Sequence, residues 1–273
     1  MLKGDKMKRE GTIEGTLLAS LRCFLYFLVF LLIPSFVSII FSALVNALSK
    51  GTPEEIDKIK ADNGTLIVMI GYILTISVFA VYFAIRKTNV FKAASINKIK
   101  PRLGINSALL GVGMLGIFQA VVLVIEKIAP KWVETQNAHS ESILNGSIVV
   151  AVIYTVILAP ICEELIFRGL MLSALSRILP KWASVLAVAV IFGLIHSFPI
   201  GFIYAFSLGL LLGWLYFYTG SLVPCIIAHA LFNASNYLSF IPKGIGIYTV
   251  MALSLPLTAY SIFDIVRTSR RQI

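Results

Sequence analysis

Six polar side chains interrupt otherwise apolar runs: Glu163, Glu164 and Arg168 in one, His196 in the next, and His229 with Asn233 in a third. An Asp, Lys or Arg at the centre of a membrane helix costs roughly 2.5–3.5 kcal/mol on insertion scales, so ionisable groups there point first to function. Helix geometry divides the acidic pair. At about 100° per residue, Arg168 lies about 40° around the helix from Glu164 but about 140° from Glu163. Glu164 and Arg168 are therefore expected to form a structural ion pair, which leaves Glu163 for chemistry. His229 and Asn233, four residues apart, share one face and can address one substrate atom. Phe192 and His196 have the same spacing, so the phenyl ring could pack on the imidazole and fix its orientation.

Hydrolysis needs a base to activate water, a donor for the developing oxyanion and a group to protonate the leaving amine. Glu163, the two histidines and Asn233 are of those types. The same Glu163, His196 and His229 could instead hold zinc with water in an open position. The H-E-x-x-H helix of common metalloproteases is absent, and spacing alone leaves both mechanisms open. A single buried histidine is more often a hydrogen-bonded core residue; two of them with a carboxylate pair shift the balance toward function. His139 sits in a polar stretch with Glu134 and Glu141 and reads as a solvated surface group. Cys162 has no charged partner that would lower its pKa and reads as a packing residue.

The elements that carry these residues follow from composition. Hydrophobic residues make up 58% of the 273 and charged residues 13%, a balance that belongs in lipid. Apolar runs at about 17–48, 65–85, 103–125, 146–172, 182–197, 200–218, 222–241 and 244–265 each suit a bilayer core about 30 Å thick. The expected fold is all-α, a polytopic membrane helical bundle of about eight transmembrane helices forming a single domain over 1–273. The segment from Trp182 to Pro242 carries no Asp, Glu, Lys or Arg and must be broken at Ser197 to Gly201 and at Thr219 to Ser221, where Pro and Gly interrupt helical pattern. Gly209 and Gly213 would let a neighbouring helix approach closely.

The formal charge of +10 is concentrated in loops and tails, where it reads as a topology signal and not as a nucleic-acid surface. Lys3 to Arg9, the loop from Arg86 to Arg102, Arg177 with Lys181, and Arg267 to Arg271 fall on one side, so both termini are expected to be cytoplasmic. The loops at 49–64 and 126–145 lack that excess. The charge-free run from Cys23 to Leu48 is too long for a signal-peptide core and reads as a retained span. Cys23, Cys162 and Cys225 lie in apolar segments without C-x-x-C spacing, which argues against a disulfide framework.

Three ordered blocks on successive segments resemble the CAAX prenyl protease and bacteriocin-processing family of intramembrane endopeptidases. Glu163-Glu164-Leu165-Ile166-Phe167-Arg168 looks like its E-E-x-x-x-R motif and Phe192-Gly193-Leu194-Ile195-His196 like its F-x-x-x-H motif. Phe206, Gly209, Gly213, Thr219-Gly220, His229 and Asn233 follow its third block. The likeness covers about 147–235, the expected catalytic core; the first three spans carry no recognised motif.

The resemblance implies a cavity in the membrane that holds water and admits a peptide. Glu163 would activate the water, His196 would hold it or shuttle protons, and His229 with Asn233 would stabilise the oxyanion. Glu164, Arg168 and Phe192 would support them. Such families have been read both as glutamate proteases, which need no cofactor, and as metalloproteases; the glutamate reading is preferred, with zinc as the alternative. The implied partners are membrane lipid and a peptide or protein substrate, either prenylated or a bacteriocin or signal peptide precursor, with no nucleic acid. The implied location is a multi-pass integral membrane protein, of the cell membrane in a prokaryote. A non-catalytic immunity or scaffold protein and a proton-coupled transporter are the competing functions. Counting along the spans puts Glu163 toward the inner half of its helix and His196 toward the outer half of the next, so their depths must be reconciled by tilt.

Overall fold

Over the described residues the expected apolar runs become mostly helix, because in lipid a spanning backbone must satisfy its N–H and C=O groups internally. The computed structural model describes residues 13–235, 237 and 246–269. In chain order they form α1 (Ile13–Leu48), α2 (Pro53–Ile85), a single turn at Val90–Ala93, α3 (Pro101–Ile128), α4 (Pro130–Leu144), α5 (Ile148–Leu175), α6 (Lys181–Leu194), α7 (Ile200–Thr219), α8 (Val223–Ser235) and α9 (Gly246–Ser269). No strand occurs among the described residues. Five helices, α1, α2, α3, α5 and α7, are long and apolar enough to cross a bilayer; α6 and α8 are shorter apolar helices. The outward face of α1 presents Leu17, Phe24, Leu32 and Phe36, a surface suited to lipid. The basic stretch from Lys3 to Arg9, Pro242, Arg270 and Arg271 lie outside the described residues.

The charge-free segment breaks at the two expected turns. α6 stops at Leu194 and α7 begins at Ile200, while Gly220 ends α7 in the left-handed conformation (φ 64°) and returns its N–H to the Tyr216 carbonyl. Glycine suits that position because it has no Cβ to clash.

Two segments expected as loops are helical. The acidic stretch before the second apolar run is the start of α2, closed by a capping box in which the Glu55 N–H donates to the Thr52 hydroxyl oxygen (3.3 Å) and the Thr52 N–H to the Glu55 carboxylate (2.7 Å). Thr-Pro-Glu-Glu carried that signal in the sequence. The polar connection at 126–145 contains α4, which starts on Pro130 and buries Val133. Its surface polarity had hidden a helix held mainly by one packed side.

Close approaches at glycines set the bundle. A Cβ on Gly71 would lie 2.6 Å from Pro34 Cα of α1, one on Gly111 2.1 Å from the Ala228 carbonyl of α8, and one on Gly113 2.4 Å from the Thr258 hydroxyl of α9. Gly209 sits on Ala189 and Gly213 on Val185, so the small residues of α7 face α6. The α7–α8 turn is tied down by the segment after α2: the Asn97 amide donates to the Gly220 carbonyl (2.8 Å) and the Leu222 N–H to the Ser95 carbonyl (2.9 Å).

Candidate active site

The acidic pair stands on an irregular helix. Within α5, π-helical turns at Ile153–Leu158 and Leu165–Leu172 flank a six-residue α-helical stretch, Ala159–Glu164, that ends on Glu163 and Glu164. Such wide turns are rare and often mark functional sites. The first of them has a local cause of consequence. The Ala159 N–H bonds to the Tyr154 carbonyl, five residues back. In that register the next donor, for the Thr155 carbonyl, would be residue 160, and Pro160 has no N–H. The Thr155 carbonyl is instead filled from α8, where Asn233 Nδ2 donates to it at 2.8 Å. A missing proton on one helix thus docks the asparagine of another.

The second relationship is a chain of charges. Arg168 Nη1 donates to Glu164 Oε1 at 2.7 Å, and both side chains are fully buried. The same oxygen accepts from His229 Nδ1 at 2.8 Å. With Nδ1–H spent on a carboxylate, the neutral imidazole carries its lone pair on Nε2. That nitrogen faces Glu163, 3.8 Å from Oε2. The separation is too long for a direct hydrogen bond and suits two acceptors gripping one small molecule between them. The other oxygen of Glu163 accepts from the Tyr72 hydroxyl at 2.9 Å. Glu163 is 6% exposed and His229 3%.

Phe192 is the hub around which these groups assemble. Its ring lies 4.5 Å below the Arg168 guanidinium, 4.7 Å from the His196 ring and 5.9 Å from the His229 ring. His196 is half-buried and turns Nδ1 to the Phe192 carbonyl (2.7 Å). Since a carbonyl only accepts, Nδ1 carries the proton and Nε2 is left for a water or substrate. One aromatic ring thus touches both histidines. Beyond His196, Tyr204 packs at 6.2 Å, and Gln136 of α4 joins Tyr204 to Ser197, accepting from the Ser197 hydroxyl at 2.7 Å.

Residues 145–235 match the family described as Type II CAAX prenyl endopeptidase Rce1-like. That segment, about a third of the chain, is similar to this protease family. No curated protein and no solved structure gave a significant match. Its long apolar helices suit an integral membrane protein.

The matched segment supplies every candidate catalytic and supporting residue read from the sequence. Glu163, Glu164, Arg168, Phe192 and His229 share one buried cluster, His196 joins it through Phe192, and Asn233 is anchored to α5 one helical turn beyond His229. His139 is remote from them in sequence but lies on α4, the helix whose Gln136 bonds Ser197. Cys23, Cys162 and Cys225 are free and buried. Tyr72 was not anticipated: it comes from α2, outside the matched segment, and no motif marks it.

Zinc in a catalytic site takes three protein ligands and an open position. Among the described residues no three His, Cys, Asp or Glu side chains converge as a metal site. Glu163 and His229 make a pair, and His196 joins them only through the Phe192 ring. This arrangement does not fit a three-ligand ion.

Proposed function

We propose that the protein is an intramembrane endopeptidase that hydrolyses membrane-associated or lipidated peptides with water activated by Glu163. The observation that carries this reading is the 3.8 Å gap between Glu163 Oε2 and His229 Nε2, with Nδ1 of that histidine fixed by Glu164. A water seated between two acceptors gives a hydrogen to each and turns its oxygen lone pairs outward to a scissile carbonyl. Glu163 takes one proton as the C–O bond forms, and the proton returns to the leaving amine as the C–N bond breaks. His229 relays that proton through Nε2. Asn233 keeps its second amide hydrogen for the oxyanion, since one NH₂ group offers two donors. His196 holds the water or passes protons at the outer edge of the cluster. The eight apolar helices would all cross the bilayer, with both termini in the cytoplasm. The substrate class is a prenylated C-a-a-X protein or a peptide precursor.

The test uses purified full-length protein in detergent and a panel of prenylated C-a-a-X peptides and unprenylated precursor peptides. Wild type is expected to cleave at least one of them, and Glu163→Gln to lose about 10²–10⁴-fold in kcat, the usual weight of a positioned base. Unchanged cleavage by Glu163→Gln would remove Glu163 from the mechanism. A 1,10-phenanthroline arm is expected to leave turnover intact; loss restored by added zinc would instead favour the metal reading.

A further inference from the structure

We infer that Tyr72 is a positioning residue for Glu163, delivered into the protease domain by the α1–α2 hairpin. The inference rests on the glutamate reading above and assigns a task to helices that carry no family motif.

The hydroxyl of Tyr72 donates to Glu163 Oε1 at 2.9 Å. Every feature around it fixes where that hydroxyl points. Its ring meets Phe30 of α1 edge-on at 5.5 Å and Tyr154 of α5 at 5.2 Å. Phe30 in turn packs on Phe167 at 5.3 Å, and Phe167 on Phe192 at 5.0 Å. The aromatic chain therefore runs from α1 to the hub of the cluster. The neighbouring Gly71 lies so close to Pro34 that a Cβ there would be 2.6 Å from Pro34 Cα and 2.9 Å from Pro34 Cβ. Contact at that range sets the depth and rotation of α2 against α1, and with it the height of the tyrosine.

A carboxylate on a flexible side chain has two equivalent oxygens and can swing. With Oε1 committed to Tyr72, Oε2 is the oxygen presented to His229 and to the water between them. The hydroxyl acts through Glu163 and touches neither substrate nor the reacting atoms. Loss of the hydroxyl leaves binding of the peptide intact but lets the base rotate out of line, so turnover falls and KM does not.

Tyr72→Phe separates the hydroxyl from the ring, because the contacts to Phe30 and Tyr154 survive. On the peptide that wild type cleaves, kcat is expected to fall about tenfold, the scale of a hydrogen bond to a charged group. KM should stay at its wild-type value, while Tm falls modestly because a buried carboxylate oxygen loses its donor. Wild-type kcat in Tyr72→Phe overturns the inference. So does a loss of kcat matched by a rise in KM when turnover is read below the unfolding onset, since that pattern marks packing alone. Glu163→Gln is measured beside it: if that variant still cleaves, the glutamate reading has failed; if it is dead while Tyr72→Phe is fully active, only the present inference has.

Discussion

His229 Nδ1 and Arg168 Nη1 donate to one and the same oxygen, Glu164 Oε1, at 2.8 and 2.7 Å. The second carboxylate of the acidic pair is therefore both the counter-ion of a fully buried arginine and the group that orients the histidine facing Glu163. Its two tasks cannot be separated by a single substitution at Glu164, but they can be separated at its partners.

Arg168→Ala should destabilise the protein severely while leaving the His229–Glu164 hydrogen bond in place. Removing one partner of a buried ion pair costs about 3–5 kcal/mol because the other charge is left without compensation. Arg168 also lies against the Phe192 ring, so that contact is lost too. Thermal unfolding in detergent reads the effect. A change in Tm indistinguishable from wild type would show that the pair contributes nothing to the fold.

Pro160→Ala should restore the missing N–H of α5 and let residue 160 donate to the Thr155 carbonyl. Asn233 would then lose its anchor. The expected result is a fall in kcat of about tenfold, by analogy with the loss of an oxyanion donor or its positioning, which costs up to 10²–10³. Stability should hold, because a helix hydrogen bond replaces the one that is lost. If Asn233→Ala is slow and Pro160→Ala turns over at the wild-type rate, proline is not what frees that carbonyl.

Gly111→Ala tests how α8 is seated. The added methyl would fall 2.1 Å from the Ala228 carbonyl oxygen, adjacent to His229. The atom met is backbone, so α8 must move away and His229 with it. Overpacking of this kind costs about 1–3 kcal/mol, and activity should fall with Tm. Gly104→Ala on the same helix is the control. Its methyl would find only Ile99 and Ile227 side chains at 3.6 and 3.7 Å, and a helix-interior Gly→Ala change with room gains about 0.5–1 kcal/mol. Equal behaviour of the two variants would sink the argument.

Local spacing was enough for several of these relationships. Glu164 and Arg168 at i, i+4 had to meet on any helix, as did the Phe192 ring and His196, because those offsets place side chains on one face. The breaks at Ser197 to Gly201 and at Gly220 were legible for the same reason, since proline and glycine act on their own backbone. The polar helix α4 was missed because its surface is hydrophilic and one buried valine is a weak periodic signal, although the capping box of α2 stood in the sequence unread.

The sequence by itself determined that this chain is helical and apolar enough to span a membrane, that its 145–235 segment resembles the CAAX-protease family, and which side chains in it are out of place in lipid. Periodicity and hydropathy act within a few residues, so one strand of text carries them. Tertiary structure alone decided that Glu164 meets Arg168 and His229 together, that Asn233 fills a carbonyl which Pro160 leaves open, and that a tyrosine more than ninety positions from its partner by residue count, Tyr72, donates to Glu163. Those pairings depend on how three separate helices are rotated and set in depth against each other, and contacts such as Gly71 on Pro34 and Gly111 on Ala228, invisible to any local pattern, fix that rotation.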